Sequence, residues 1–176
     1  MHDPKDLDCG FLIIAPENNS KHVEITASSV RRKLGTSPML CILTSGASEQ
    51  AELEASRICE CARGGTTYSS LINVALRRPL AEWNLIIISG TSMRSRTYRK
   101  YGCFAESSRD ILYPVVDRKM NFVDGTVNGI LFHRDAHSEI GDMPECQSLE
   151  ESKMHWGFRA ACLGYKFKGI VGAGLV

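Results

Sequence analysis

Apolar and polar positions fall into two rhythms along this chain. Continuous apolar runs occupy residues 10–15 (GFLIIA), 39–44 (MLCILT), 85–88 (LIII) and 111–116. Runs this short, bounded by turn residues, predict strands buried on both faces. Between them the apolar residues recur at helical spacing. Val23, Ala27, Val30 and Leu34 share one face of a segment that Ser20 can cap and Gly35 ends. Residues 47–62 read as one helix, with Leu53, Ile58 and Cys61 toward the core. After Gly64-Gly65, Thr66 or Thr67 caps a third helix carrying Leu71, Val74, Ala75 and Leu76, closed by Arg77-Arg78-Pro79. A strand is predicted over 126–132, followed by the polar loop Gly141-Asp142-Met143-Pro144-Glu145. Ser148 then caps a helix, and Glu151 three residues on completes a capping-box pattern. Met154, Phe158, Ala161 and Cys162 form its expected buried stripe, Gly164 stops it, and Lys166–Val171 is a last strand.

Buried strands alternating with helices predict a Rossmann-like α/β fold. Its sheet should be mostly parallel and covered on both faces. The 176 residues suit a single compact domain. In such sheets ligands bind outside the carboxyl ends of the strands. Those ends read Ala15-Pro16-Glu17-Asn18, Ser45-Gly46 and Ser89-Gly90-Thr91-Ser92. All are small or polar, as close approach of a ligand to backbone requires, and the same residues would also serve as plain turns and caps.

Composition narrows the function classes. Charged residues make up 23% and the formal net charge is +1, so no global field favours nucleic acid or membrane. No apolar run reaches the length of a membrane span. The first ten residues are polar rather than a secretory signal, which points to the cytoplasm. Seven cysteines without regular spacing predict reduced, mostly buried thiols. Neither phosphate-cradling glycine motif occurs, nor a Cys/His or G-x-S-x-G nucleophile arrangement.

The order of elements and several short pieces resemble the A-type (GT-A fold) nucleotide-sugar glycosyltransferases of the family-two kind. The pieces are Gly129 to Arg134, Ile140-Gly141-Asp142-Met143-Pro144-Glu145, the acidic pair Glu150-Glu151, Arg159, and Gly164-Tyr165-Lys166-Phe167. Gly65 through Asn73-Val74-Ala75 is similar to a helix motif of that family. The resemblance implies hexosyl transfer from a nucleotide sugar, with a nucleotide-binding half over 1–92, an acceptor or catalytic half over 121–176, and the donor lying over the three strand ends. It also implies Mn²⁺ or Mg²⁺ held by a D-x-D motif after the third apolar strand. That place reads Ile88-Ser89-Gly90-Thr91-Ser92, without a carboxylate. A metal-independent transferase would neutralise the leaving diphosphate with cations instead. Arg94 and Arg96, with Arg99 and Lys100, follow directly. A nucleic-acid acceptor is another use for that cluster, and a solvated helix face a plainer one.

Inverting transfer requires a general base near the acceptor hydroxyl. Glu150, Glu151 and Asp142 are the candidates, with Glu145 beside them. Helix starts also favour acids for electrostatic reasons alone. Counted back from Arg159, the spacing of the resemblance falls on Ser152-Lys153 rather than on the glutamates. Trp156 and Arg159 are acceptor-side candidates; Trp156 serves equally as core. His133, Asp135, His137 and Glu139 include legitimate metal ligands, but a strand-to-helix transition divides them. Asp124 suits a turn. The chain is short for this resemblance, so acceptor selection calls for a partner chain or a homo-oligomer. The reading from a different class is a non-catalytic binding module on the same fold, which accounts for every missing aspartate.

Overall fold

The structure is a computed structural model that describes residues 7–115, 122, 123, 126–173 and 175. One seven-stranded sheet forms its centre, in the order β3-β2-β1-β4-β6-β5-β7. The strands are β1 (Cys9–Ala15), β2 (Met39–Leu43), β3 (Glu60–Arg63), β4 (Trp83–Ile88), β5 (Asp110–Val115), β6 (Leu131–His133) and β7 (Lys166–Val171). β6 pairs antiparallel with both β4 and β5; the other pairings are parallel. The sheet is thus mixed and mostly parallel, as the alternation of elements predicts.

Two-residue periodicity explains the continuous apolar runs. Leu12, Ile14, Leu40, Ile42 and Ile86 pack on one face with Leu71, Ile72, Ala75, Trp156 and Ala160. Those partners come from α3 (Tyr68–Arg77) and α6 (Leu149–Cys162). Phe11, Leu85 and Ile87 point the other way, toward Val30 of α1 (Ser20–Leu34) and Tyr101 of α4 (Ser95–Phe104). Cys41 and Leu43 face Val23 of α1 and Ala55 of α2 (Glu49–Ser56). A strand covered on both faces has no polar side, so its sequence reads as an unbroken apolar run.

Several sequence expectations shift. The helix expected over 47–62 is shorter, because residues 60–63 form the edge strand β3 against β2. Leu53, expected in the core, is 50% exposed. Asn19 rather than Ser20 caps α1, its side chain accepting from Lys21 and His22 N–H. The strand expected over 126–132 contracts to β6, with a five-residue helix α5 (Ala136–Ile140) after it. On α6 the expected stripe is turned outward: Met154 is 51% and Phe158 74% exposed, while Ser152, Lys153, Trp156 and Ala160 are buried. The cysteines are all free, yet only Cys9 and Cys41 are buried, and Cys103 and Cys162 are exposed. Gly164 does end α6, at φ 85°, with Tyr165 N–H returning to Ala160 O and Gly164 N–H to Ala161 O.

Candidate functional site

Parallel pairing brings three strand ends together. Ala15 lies beside Leu43, and Ile14 beside Ile88. The loops after β1, β2 and β4 therefore open at one edge of the sheet. Their small polar residues first serve one another. Asn18, at φ 52°, spans two loops: its Nδ2 donates to Thr44 Oγ1 (2.6 Å) and its Oδ1 accepts from Thr44 N–H (2.8 Å). Ser89 N–H donates to Ile14 O (2.8 Å), and Gly90 N–H to His22 O (2.9 Å). Gly90, at φ 89°, lies under the His22 ring, 3.5 Å from where a Cβ would stand. His22 in turn meets Glu17 at 3.4 Å. Asn128 closes the β4 end, accepting from Ile88 N–H (2.9 Å) and donating to Thr91 Oγ1 (3.1 Å).

The expected donor residues divide accordingly. Pro16, Glu17, Asn18, Ser45, Gly46, Ser89, Gly90 and Ser92 are exposed or half-buried at this edge. Ala15 and Thr91 are buried; they hold the turns rather than offer a surface. Arg94 and Arg96 lie further off. Thr26 Oγ1 donates to Thr91 O, and Met93 bonds twice with Ser29, so the chain descends along α1 before α4 begins. Ser29 is nine residues beyond Ser20, about 13 Å along a helix. The basic cluster thus starts well below the strand ends. Lys100, farther along α4, donates to Val171 O at the carboxyl end of β7 (2.8 Å), on the same edge of the sheet but three strands from β4.

The acidic segment approaches the same edge from the other side of the sheet. β5 and β7 run in the direction of β4, so α6, which returns the chain to the start of β7, begins at the carboxyl edge. The loop before it lies along α3. Asp142 pairs with Arg77 and with His137 Nε2 (2.9 Å), Met143 bonds twice with Asn73, and Glu145 accepts from Thr67 Oγ1 (3.3 Å). Thr67 caps α3 and Arg77 ends it, about 15 Å apart. Asp142 is therefore held at the far end, where the Arg77 guanidinium, with His137, keeps its carboxyl below the usual range against the effect of partial burial.

Glu150 and Glu151 stand in the first turn of α6, at the near end. Glu150 is exposed and has no hydrogen bond or ion pair among the described residues. Glu151 N–H donates to Ser148 Oγ (3.1 Å), but its carboxylate reaches Gln147 N–H (3.3 Å), one residue beyond a true capping box. The next two residues, Ser152 and Lys153, are buried. Lys153 Nζ donates to Val123 O (2.6 Å) and lies 5.6 Å from the Phe122 ring centroid. The acceptor expectation for Trp156 is corrected: it is 1% exposed, packs on Phe122 and Phe167, and donates to Gly141 O (3.0 Å). No ring face remains for a ligand. Arg159 bonds Asp142 O.

The His133 pattern is dispersed. His133 meets Asp135 (3.2 Å) and Glu82 (3.7 Å), His137 meets Asp142, and Glu139 meets Arg109 (3.3 Å). Asp124 lies outside the described residues. A cavity of about 560 Å³ lies elsewhere, between α4 and the β5–β7 edge, lined by Lys100, Phe104, Tyr113, Phe167 and Ile170. Among the described residues its lining holds no carboxylate or imidazole to serve as a base.

No family model matches the chain, and no curated protein matches it. Solved structures do. S. aureus TarS (residues 1–349) matches at a TM-score of 0.62 and 13% identity, over 94% of this chain and 59% of that one. The 4-diphosphocytidyl-2C-methyl-D-erythritol synthase of Anaerococcus prevotii matches at 0.58 and 12%, over 92% and 86%. The fold is GT-A-like. At these identities the likeness is one of fold, and the chain spans about three-fifths of the TarS fragment.

In a GT-A-like frame the loop after β4 is where a D-x-D motif would hold a divalent cation. Ser89, Gly90, Thr91 and Ser92 do not fit that role. Mg²⁺ is held through carboxylate oxygens, and this loop offers only hydroxyls, one of which is bonded to Asn128. Asn18, Thr44, His22 and Asn128 tie the loops of this edge to one another. Sequence reading missed Thr44, His22 and Asn128 as parts of it, because nothing local marks a side chain whose partner is 26 or 40 residues away. Among the described residues no helix is long and apolar enough to cross a membrane.

Proposed function

We propose that this chain is a nucleotide-using transferase that moves a sugar from a nucleotide-sugar donor to an acceptor hydroxyl, without a divalent cation at the β4 loop. The observation that carries the reading is the shared edge. The ends of β1, β2 and β4 and the acidic start of α6 open on one side of a GT-A-like sheet. TarS, a GT-A-type glycosyltransferase, and the erythritol synthase, a nucleotidyltransferase, share that fold.

The donor would rest on Pro16, Glu17, Asn18, Ser45, Gly46, Ser89, Gly90 and Ser92. The Asn18–Thr44 and Asn128 bonds fix their backbone before a ligand arrives, which lowers the ordering cost of binding. Glu150 is the base: it is exposed, acidic and without a competing partner among the described residues, so it can accept the acceptor's proton as the sugar bond forms. The non-catalytic reading draws on the same inward-directed bonds, which occupy groups a donor would otherwise use.

Calorimetry with uridine, guanosine and cytidine diphosphates and their sugars, with and without Mn²⁺, tests the donor site. Binding without metal is expected. No binding to any of them overturns the reading. Glu150→Gln should abolish transfer and keep nucleotide affinity, whereas donor binding without transfer in the parent chain supports the binding module.

A further inference from the structure

The loop that lies along α3 ends in a second cluster. Cys146 N–H donates to Ser152 Oγ (3.1 Å), which fixes Cys146 against the first turn of α6. Glu151 and His155 are four residues apart on that helix and so lie one above the other. The Cys146 Sγ, a Glu151 carboxylate oxygen and a His155 ring nitrogen all lie within 4.8 Å of one another. Glu151 uses Oε2 for Gln147 N–H; its Oε1, the thiol and the imidazole have no protein partner among the described residues. Cys146 and Glu151 are half-buried and His155 is exposed, so the cluster is walled on one side and open on the other.

We propose that Cys146, Glu151 and His155 form a three-ligand site for a borderline transition metal, Zn²⁺ first, with the fourth position open to water. Thiolate and imidazole suit zinc, cobalt and nickel, while calcium and magnesium take oxygen ligands only. Zinc bonds of about 2.0–2.3 Å in a tetrahedron set donor atoms about 3.3–3.6 Å apart. Closing from 4.8 Å takes side-chain rotation of roughly an ångström, within reach of a Glu and a His on an exposed helix face. An ordinary helix-start glutamate beside a surface histidine would explain two of the three groups. It does not explain a thiol brought in from the loop with its backbone N–H held by Ser152. The site lies apart from the β4 loop and stands whether or not the transferase reading does.

The test is Co²⁺ and Zn²⁺ titration of the full chain after removal of metal with a chelator. One Co²⁺ per chain is expected, with a thiolate-to-cobalt charge-transfer band in the near ultraviolet that Zn²⁺ displaces. Cys146→Ser should abolish the band. Glu151→Gln and His155→Ala should each weaken affinity by more than the roughly 10–100-fold that loss of an outer partner costs. His155 is exposed and Cys146 and Glu151 are only half-buried, so metal-free melting curves should stay close to the parent. Cys41, Cys59 and Cys61 lie together on and beside β2 and β3 and are the competing thiols. A band that survives Cys146→Ser, or is lost in Cys61→Ser instead, overturns the proposal, as does failure of the chain to bind Co²⁺ at all.

Discussion

Replacing Asn73 with Ala should remove about 3 kcal/mol of stability although it deletes no apolar contact of note. Asn73 is buried in α3 and bonds both backbone groups of Met143, donating to its carbonyl (2.8 Å) and accepting from its N–H (2.7 Å). Each neutral bond contributes about 1 kcal/mol net, and each buried group left without a partner costs about 1–3 kcal/mol. Met143 is itself buried, so water does not replace the amide without opening the loop. Two orphaned groups at about 1.5 kcal/mol each, a penalty that already contains the lost bonds, give about 3 kcal/mol. For a chain of 176 residues this lowers the melting temperature by roughly 6–12 °C. Asn73→Asp should be as damaging, because it sets a second oxygen against the Met143 carbonyl. Urea unfolding followed by circular dichroism measures the loss. Proteolysis of loop 141–147 should accelerate in the same variants, since the staple holds that loop locally. A loss under 1 kcal/mol with unchanged cleavage would refute the assignment of Asn73 as the staple between α3 and the acidic loop.

Two further expectations separate causes at other positions. Asn18 combines a positive φ with two bonds to Thr44, so both Asn18→Gly and Asn18→Ala lose the bonds, but only Ala meets the left-handed strain. Ala should be less stable than Gly by about 1 kcal/mol in urea unfolding, and equal losses would show that the backbone relaxes. Asp142 titrates below the usual carboxyl range in the fold because Arg77 and His137 bond its charged form. Its stabilising effect is present above the unfolded carboxyl pKa and disappears as pH falls through the folded value. The parent should therefore lose more stability than Asp142→Asn between about pH 5 and pH 3. The excess should be on the order of 0.5 kcal/mol, given a side chain 38% exposed to screening. Parallel curves would remove Asp142 from the acid response.

The fold was legible wherever a strand is buried on both faces. β1, β2, β4 and β5 read as apolar runs because every position in them but Met39 and Ile88 is buried, and their registers then bring the loops together without any local signal being needed. Of the two edge strands, β7 was read at its observed bounds, Lys166–Val171, whereas β3 and the short β6 were not. β3 reads Glu-Cys-Ala-Arg, with one buried residue, and its helix-like charge pattern merged it into the preceding helix. β6 has three residues and follows a turn at Gly129 that Tyr101 and Pro114 crowd from outside the local sequence. The strand-end loops were legible as a place, since their composition marks turns. Their internal bonds were not, because Asn18, His22 and Asn128 act on partners distant along the chain.

α6 shows how one rotation decides which chemistry the chain can present. Hydrophobic counting puts Met154 and Phe158 inward, yet the helix buries Ser152, Trp156 and Ala160, four residues apart, with Lys153 beside them. A single indole supplies much of the apolar contact, and the small residues on either side let the helix approach close enough for Phe122 and Phe167 to pack on that ring. The Trp156 N–H then ties the helix to Gly141 O, and the Ser152 hydroxyl accepts from Cys146 N–H. Both bonds link the helix to the loop before it. Residues one step back from the buried row, Glu151 and His155, are carried to the rim that faces Cys146. Had the apolar stripe packed inward, Glu151 and His155 would have turned away from that loop. The metal cluster is thus a consequence of burying Trp156, and a change that rotates α6, such as Trp156→Ala with Phe158 drawn inward, should disperse its three donors together.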